Sequence, residues 1–246
     1  MKTGPTGPVF FWAMRFLAAI FKWLAAAVAL LVVAAAVLIL LFRWVDPPTT
    51  AFMFRDWLSV EPQQAGAPRL YHEWVDAAAI PPEVKLAVIA AEDQRFPAHH
   101  GFDLVELNDA LQRWREGGRL RGASTLSQQV AKNLFLWRES DWLRKGLEAP
   151  LTLLIELLWS KQRILEVYLN VAQFGPRTYG VGAASWRFFD RPVATLNRSE
   201  AALLAAVLPN PILYKVQSPS AQVRRKAAWI ERQMRNLGGP AYLDRL

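Results

Sequence analysis

An uncharged apolar run near the N-terminus constrains this chain more than any other feature. The run WLAAAVALLVVAAAVLILLF occupies residues 23–42, and FLAAIFK extends it upstream. A helix of this length crosses the ~30 Å hydrocarbon core of a bilayer. A cleaved signal peptide is the alternative, but its apolar region spans only about 7 to 15 residues, and an AAA triplet that could be cut lies inside the run. We therefore predict one N-terminal transmembrane helix at residues 16–42.

The charges that flank this run predict its orientation. Lys2, Arg15 and Lys22 precede it, whereas Arg43 closely follows it beside Asp46. Short, positively charged flanks stay in the cytoplasm. We therefore expect a short cytoplasmic N-terminus, residues 1–15, and an exported remainder.

The composition limits the chemistry of the exported part. A net charge of +8 favours an anionic partner, and an exported domain meets lipid headgroups or pyrophosphate rather than nucleic acid. The chain has no cysteine and three histidines, two of them adjacent, so the usual zinc ligand sets cannot be assembled. Glycine-rich phosphate loops and nucleophile elbows are also missing from the sequence. These observations argue against nucleic-acid binding, zinc catalysis and serine hydrolysis.

Helical periodicity dominates the sequence after a connector at residues 43–69. The segment SPSAQVRRKAAWIERQMRNLGG offers Ser220 as a cap, apolar residues at helical spacing and Gly238 as a stop. The segment APLTLLIELLW is apolar nearly all round, which predicts a central buried helix with Glu156 as a paired structural carboxylate. Because no alternating strand pattern is convincing, we predict an all-α, mainly helical domain at residues 70–246.

The segment AAEDQRFPAHHGFD places two adjacent carboxylates at the end of an apolar helix. Glu92 lies one turn beyond Val88, at the edge of the apolar stripe, so its carboxyl group should be only partly accessible to solvent. Desolvation raises the pKa of a carboxyl group, and such a glutamate can accept or supply a proton during a reaction. A surface glutamate at a helix end is the alternative, which this feature alone does not exclude.

The segment RGASTLSQQVAKNLFLW predicts a capped helix with an anion-binding face. Ser124 or Thr125 can cap it, and Thr125 with Gln128 has the capping-box spacing. Thr125, Gln129 and Lys132 then share a face close to the helix N-terminus, which suits a substrate with sugar hydroxyls and phosphate. An ordinary capped surface helix is the alternative.

Two further segments carry clustered cations. In WLRKGLEAP, Arg144 and Glu148 are four residues apart, which usually gives a solvated salt bridge. With Lys132, however, Arg144 and Lys145 could stabilise the charge on a leaving pyrophosphate. Cations border the run LFLW at residues 134–137 and the Trp142 and Leu143 that follow it. This pattern predicts an interfacial segment that enters the headgroup boundary of the membrane. The alternative is that these residues fill the core of the domain.

Four segments of the chain, in this order, resemble signatures of the peptidoglycan glycosyltransferase family. EDQRFPAHHG resembles EDxxFxxHxG, GASTLSQQVAKNLF resembles GxSTxxQQxxKN, and RKGLE and KQRILEVYLN resemble the next two. The likeness covers roughly residues 45–240. With an anchor and no second catalytic domain, the chain is similar to the monofunctional members rather than to bifunctional penicillin-binding proteins.

The resemblance implies a lysozyme-like fold, with residues 70–246 as the glycosyltransferase domain. It implies polymerisation of lipid II into β-1,4-linked glycan by inverting transfer of the undecaprenyl-pyrophosphate-linked chain to the 4-hydroxyl of the next lipid II. Glu92 would be the general base and Glu148 the second essential carboxylate, which orders the cations, or a divalent Mg or Mn ion, around the pyrophosphate. The substrate-binding positions would be Asp93, Phe96, His99, Ser124, Thr125, Gln129, Lys132, Asn133, Arg144 and Lys145.

The resemblance also implies a location and partners. The location is the bacterial inner membrane, with the catalytic domain in the periplasm, and the partners are lipid II, the growing glycan strand, membrane lipid and cell-wall assembly proteins. One departure from the family pattern is Pro150, where an aromatic residue is expected. Proline removes a backbone donor and crowds the carbonyl of Gly146, so we expect a bend near Glu148. A lysozyme-like lytic enzyme and a non-catalytic, membrane-anchored cell-wall scaffold remain as alternatives.

Overall fold

The computed structural model describes residues 8–59, 70–118 and 124–246, and most of these residues are helical, as predicted. The helices are α1 Pro8–Leu41, α2 Ala51–Ser59, α3 Pro82–Glu92, α4 Leu104–Arg115, α5 Leu126–Phe135, α6 Trp142–Leu158, α7 Lys161–Val171, α8 Val181–Phe189, α9 Arg198–Val207 and α10 Ala221–Asn236. The strands are β1 Tyr71–His72, β2 Gln173–Gly175 and β3 Thr178–Tyr179.

The three strands form a small sheet that the sequence analysis missed. Its order is β1-β3-β2, in which β1 pairs with β3 in parallel and β2 pairs with β3 antiparallel. Each strand has only two or three residues, so an alternation of apolar and polar side chains could not appear in the sequence. Thr178 and Tyr179 of β3 are fully buried, so the sheet is part of the core.

Two groups of helices build the domain. In the first, α3 packs against α9 and α10, and small side chains such as Ala87, Ala90 and Ala205, all fully buried, allow a close approach. In the second, α5 packs against α6 and α7. The groups meet where α3 ends and α5 begins, since the Asp93 carboxylate accepts a hydrogen bond from the backbone N–H of Leu126 at 2.9 Å. This junction positions the candidate site.

The apolar helix α1 is fastened to the domain at its C-terminal end. Its candidate membrane span covers Met14–Leu41, and the helix itself starts at Pro8, before the predicted residue 16. The last carbonyls of a helix have no partner within the helix. Trp159 Nε1 donates to the carbonyl of Ile39 at 2.6 Å, and Arg163 Nε donates to that of Phe42 at 3.0 Å. Side chains of the domain therefore cap the C-terminal end of α1.

The segment expected to be a connector also packs on the domain. Its residues 51–59 form α2, in which Phe52 and Met53 are buried. Asp56 Oδ2 accepts hydrogen bonds from the Tyr179 hydroxyl at 2.6 Å and from Arg138 Nη2 at 3.0 Å. Residues 60–69 of the connector and residues 1–7 of the N-terminus lie outside the described part of the chain.

Helix α6 is not the central buried helix that its composition predicts. Thr152 and Ile155 are fully buried, but Leu153 is 55% exposed and Leu157 is 79% exposed. A helix that is apolar all round is usually enclosed by protein, whereas α6 has one apolar face without a protein partner among the described residues. The helix continues through Pro150, so the proline does not end it.

The predicted interfacial segment divides into two parts. Leu134 and Leu136 are buried in the core, so the interfacial prediction is wrong for these two residues. Trp137 is half-buried, and its Nε1 donates to Asp141 Oδ2 at 2.7 Å. Trp142 and Leu143, by contrast, are exposed. Spacing alone could not separate the two parts, because both are apolar and both lie near cations.

Candidate active site

A cavity of about 370 Å³ lies at the junction of α3 and α5. It is lined by Glu92 and Asp93 from the end of α3, by Ser124 and Thr125 before α5, and by Trp229 of α10. Thr125 caps α5 as predicted: its side chain accepts from the Gln128 backbone, and the Gln128 side chain accepts from the Thr125 backbone in return. The capping box thus fixes the wall of the cavity that faces Glu92.

Glu92 is half-buried, as its place at the edge of the apolar stripe predicts. Desolvation raises the pKa of its carboxyl group. The charge of Lys226, a hydrogen bond from the Gln129 side chain and the charge of Lys132 oppose this increase. The charge of the neighbouring Asp93 adds to it. Gln129 Nε2 donates to Glu92 Oε2 at 2.9 Å. Glu92 is therefore a partly desolvated carboxylate held in one orientation, which is what a general base requires.

Asp93, Phe96 and His99 form a buried cluster that follows Glu92 in the sequence. The Asp93 carboxylate, already bonded to the start of α5, also contacts His99 Nε2 at 2.9 Å, and both side chains are buried. The Phe96 ring is fully buried and meets the His99 ring edge-on, with 6.1 Å between the ring centroids. Both Asp93 oxygens already have partners in the protein, so this group fits a positioning role better than direct substrate contact.

A second cavity has a volume of about 250 Å³ and reaches Gln129, the residue that donates to Glu92. Gln129, Lys132 and Asn133 of α5 line it, as do Phe52 of α2 and Tyr168 of α7. Burial lowers the pKa of Lys132, and the carboxylate of Glu148 partly offsets that effect. A partly desolvated cation in a cavity is suited to an anionic ligand, because its charge is weakly screened there.

Glu148 is the buried centre of an ion cluster. Arg144 Nη1 donates to Glu148 Oε2 at 2.5 Å, and Lys145 Nζ donates to Glu148 Oε1. Glu148 is 2% exposed and Arg144 is 6% exposed, so the pair is not the solvated surface bridge that its spacing alone would suggest. Arg144 and Lys145 also lower the pKa of Lys132 through their charge, while Glu148 raises it.

Glu156 is a paired structural carboxylate, as predicted. It accepts hydrogen bonds from Ser127 Oγ and from Lys161 Nζ, the latter at 2.8 Å. Arg144 and Lys145 do not contribute to this pairing, since both bind Glu148.

Sequence reasoning missed three residues that the fold brings to the site. Lys226 of α10 acts electrostatically on Glu92, and Phe52 of α2 lines the cavity that contains Lys132. Neither residue had a local signal, because each reaches the site from a distant segment. Tyr168 did have a local signal. It lies on the buried face of the amphipathic helix α7, and a buried tyrosine hydroxyl usually needs a partner.

Comparison with known proteins agrees with this geometry. The model of a family described as Transglycosylase matches residues 62–235. A biosynthetic peptidoglycan transglycosylase of Xanthomonas campestris pv. campestris (strain B100) is 49% identical over 223 residues, which cover 91% of each chain. One of Xylella fastidiosa (strain M12) is 50% identical over 206 residues, which cover 84% of this chain and 85% of that protein. The chain therefore belongs to the transglycosylase family.

Proposed function

We propose that this chain is a peptidoglycan glycosyltransferase that polymerises lipid II into β-1,4-linked glycan strands. The observation that carries the proposal is the pairing of two chemistries in adjacent cavities. Glu92 in the first cavity supplies a partly desolvated carboxylate, and Lys132 in the second cavity supplies a cation, with Arg144 close enough to influence the pKa of Lys132. A glycosyl transfer that releases pyrophosphate needs a base for the acceptor hydroxyl. It also needs positive charges that stabilise the anionic leaving group. The family and its relatives give independent support.

The first half of the reaction takes place at Glu92. The 4-hydroxyl of the acceptor lipid II lies in the first cavity, and the Glu92 carboxylate removes its proton. The acceptor oxygen then attacks the anomeric carbon of the lipid-linked growing chain from the face opposite the leaving group, which inverts the configuration. The raised pKa makes Glu92 a stronger base than an ordinary glutamate, which favours the proton transfer.

The second half takes place at the cation cluster. As the new glycosidic bond forms, the bond between the anomeric carbon and the pyrophosphate oxygen breaks, and undecaprenyl pyrophosphate leaves with the electron pair. Lys132, Arg144 and Lys145 stabilise the developing charge. Glu148 keeps Arg144 and Lys145 in place rather than touching the substrate.

A divalent ion at the pyrophosphate does not fit the donor set around Glu148. Both of its carboxylate oxygens already accept from cations, whose positive charge disfavours a metal ion at the same group. Across the described residues, no cluster of three His, Asp or Glu side chains is arranged to hold a metal. No step of the proposed mechanism therefore passes through Mg or Mn.

The location supports the same function. The apolar helix α1 is consistent with a membrane anchor. We further propose that residues 1–15 are cytoplasmic, that residues 16–42 contain the span, and that the domain after residue 70 lies in the periplasm beside the inner membrane. The exposed Trp142, Leu143 and Leu157 then contact lipid, which brings the cleft to the surface where a lipid-linked pyrophosphate resides.

Incubation of the purified full-length protein with lipid II tests this function against its alternatives. A glycosyltransferase lengthens glycan and releases undecaprenyl pyrophosphate. A lytic enzyme instead shortens existing glycan, and a scaffold does neither. The cation cluster favours transfer over lysis, because hydrolysis of a glycan strand has no pyrophosphate to stabilise.

A further inference from the structure

We infer that Tyr168 is a positioning residue for Glu92 and acts through the side-chain amide of Gln129. The Tyr168 hydroxyl donates to Gln129 Oε1 at 3.2 Å, and Gln129 Nε2 donates to Glu92 Oε2 at 2.9 Å. Tyr168 comes from α7, Gln129 from α5 and Glu92 from α3, so the chain of hydrogen bonds crosses three helices. The inference rests on the proposed function, in which Glu92 is the base.

The direction of these hydrogen bonds follows from the chemistry of the groups. An ionised carboxylate only accepts, so the NH₂ group of Gln129 must face Glu92. The amide oxygen then points to the opposite side, where it needs a donor. The Tyr168 hydroxyl is the donor found there, and its ring is buried, which holds the hydroxyl in place. Without that hydroxyl, the amide oxygen loses this donor, and the productive orientation of Gln129 is less favoured.

Several charged groups also act on Glu92, and none of them replaces the amide. Lys226 of α10 and Lys132 of α5 favour the ionised carboxylate through space, while the adjacent Asp93 disfavours it. The hydrogen bond from Gln129 is directional and fixes a particular carboxylate oxygen, whereas the two lysines are point charges. Tyr168 and Gln129 thus control the orientation of the base as well as its ionisation.

Removal of the Tyr168 hydroxyl tests the inference in the full-length protein. In Tyr168→Phe, the hydrogen bond to Glu92 weakens, and the acidic limb of kcat/KM for lipid II should move upward by roughly half a pH unit or more. Tyr179→Phe is the matched control, because it also deletes a buried hydroxyl but one that is bonded to Asp56. Its acidic limb should stay at the parental pH, whatever happens to stability.

A double substitution separates action through Gln129 from direct contact with substrate. Gln129→Met keeps the shape of the side chain but removes the amide, and should shift the acidic limb in the same direction. Adding Tyr168→Phe to Gln129→Met should then cause no further shift of the acidic limb, because the hydrogen-bond chain from Tyr168 to Glu92 is already broken at residue 129. Additive shifts, or a Tyr168→Phe variant that changes only KM, would overturn the inference.

Titration of the carboxyl group without turnover distinguishes this inference from the proposed function. Infrared difference spectra of the full-length protein, assigned with Glu92→Gln, report the protonation of Glu92 directly. An upward shift of this titration in Tyr168→Phe supports the positioning role even if the parent fails to polymerise lipid II, which would refute only the function. An unchanged titration refutes the positioning role.

Discussion

Substitution of Glu92 by glutamine should separate activity from stability. Glutamine keeps the size and polarity of the side chain but cannot accept the proton of the acceptor hydroxyl. Loss of a general base typically lowers a rate by ~10²- to 10⁴-fold, so polymerisation should fall at least 100-fold. Desolvation raises the pKa of Glu92 in the folded protein, so its ionised form costs stability at neutral pH, and that cost disappears as the pH falls.

A neutral glutamine removes the same cost. The melting temperature of Glu92→Gln should therefore equal that of the parent or exceed it by up to a few degrees, since about 1 kcal/mol moves Tm by roughly 2 to 4 °C in a domain of this size. The assay is gel analysis of glycan made from labelled lipid II, alongside thermal unfolding. Glu231→Gln is the matched control, because Glu231 is also on the domain and bonded to a side chain, Ser199, but does not line the cavity. Synthesis by folded Glu92→Gln above about a tenth of the parental rate would refute the base assignment.

Three more predictions concern the cations, the pH dependence and the membrane surface. Lys132→Ala and Arg144→Ala should each reduce lipid II turnover at least tenfold. Arg144→Lys should recover only part of the turnover, because lysine cannot bind phosphate oxygens in a bidentate manner. Near-parental steady-state rates in both alanine variants would remove the case for pyrophosphate stabilisation. As the pH is lowered, turnover of the parent should begin to fall above the ordinary glutamate pKa of 4.5, because the pKa of Glu92 is raised and protonation removes the base. A pH–rate profile whose acidic limb lies at or below pH 4.5 contradicts this. Serine at both Trp142 and Leu143 should weaken use of lipid II in anionic vesicles more than in detergent micelles, whereas equal losses in both media would show that these side chains do not contact lipid.

Local signals in the sequence were enough to predict the parts of the site that each lie within one segment. The capping box of Thr125 and Gln128 depends on a spacing of three residues, and the pair of Arg144 and Glu148 on a spacing of four. Helical content followed from periodicity in the same way. The partial burial of Glu92 followed from the apolar helix face that ends beside it.

Burial was harder to predict, because it depends on what packs against a segment. Nothing local distinguishes the buried Leu134 from the exposed Leu143, or the enclosed face of α6 from its open one. The contribution of Lys226 depends on helix α10 returning to α3 from more than a hundred residues away. Strands of two or three residues are likewise specified by their neighbours, since they are too short to have a period.

The capped end of α1 makes bilayer thickness relevant to the cleft. Trp159 and Arg163 hold the carbonyls of Ile39 and Phe42, so a tilt of the helix is coupled to the domain. The uncharged run of residues 23–42 measures ~30 Å as a helix, which matches the hydrocarbon core with little excess. A thinner bilayer would tilt such a helix, and the tilt would pass to the whole domain. Lipid composition would then set the angle at which the cleft meets the headgroups.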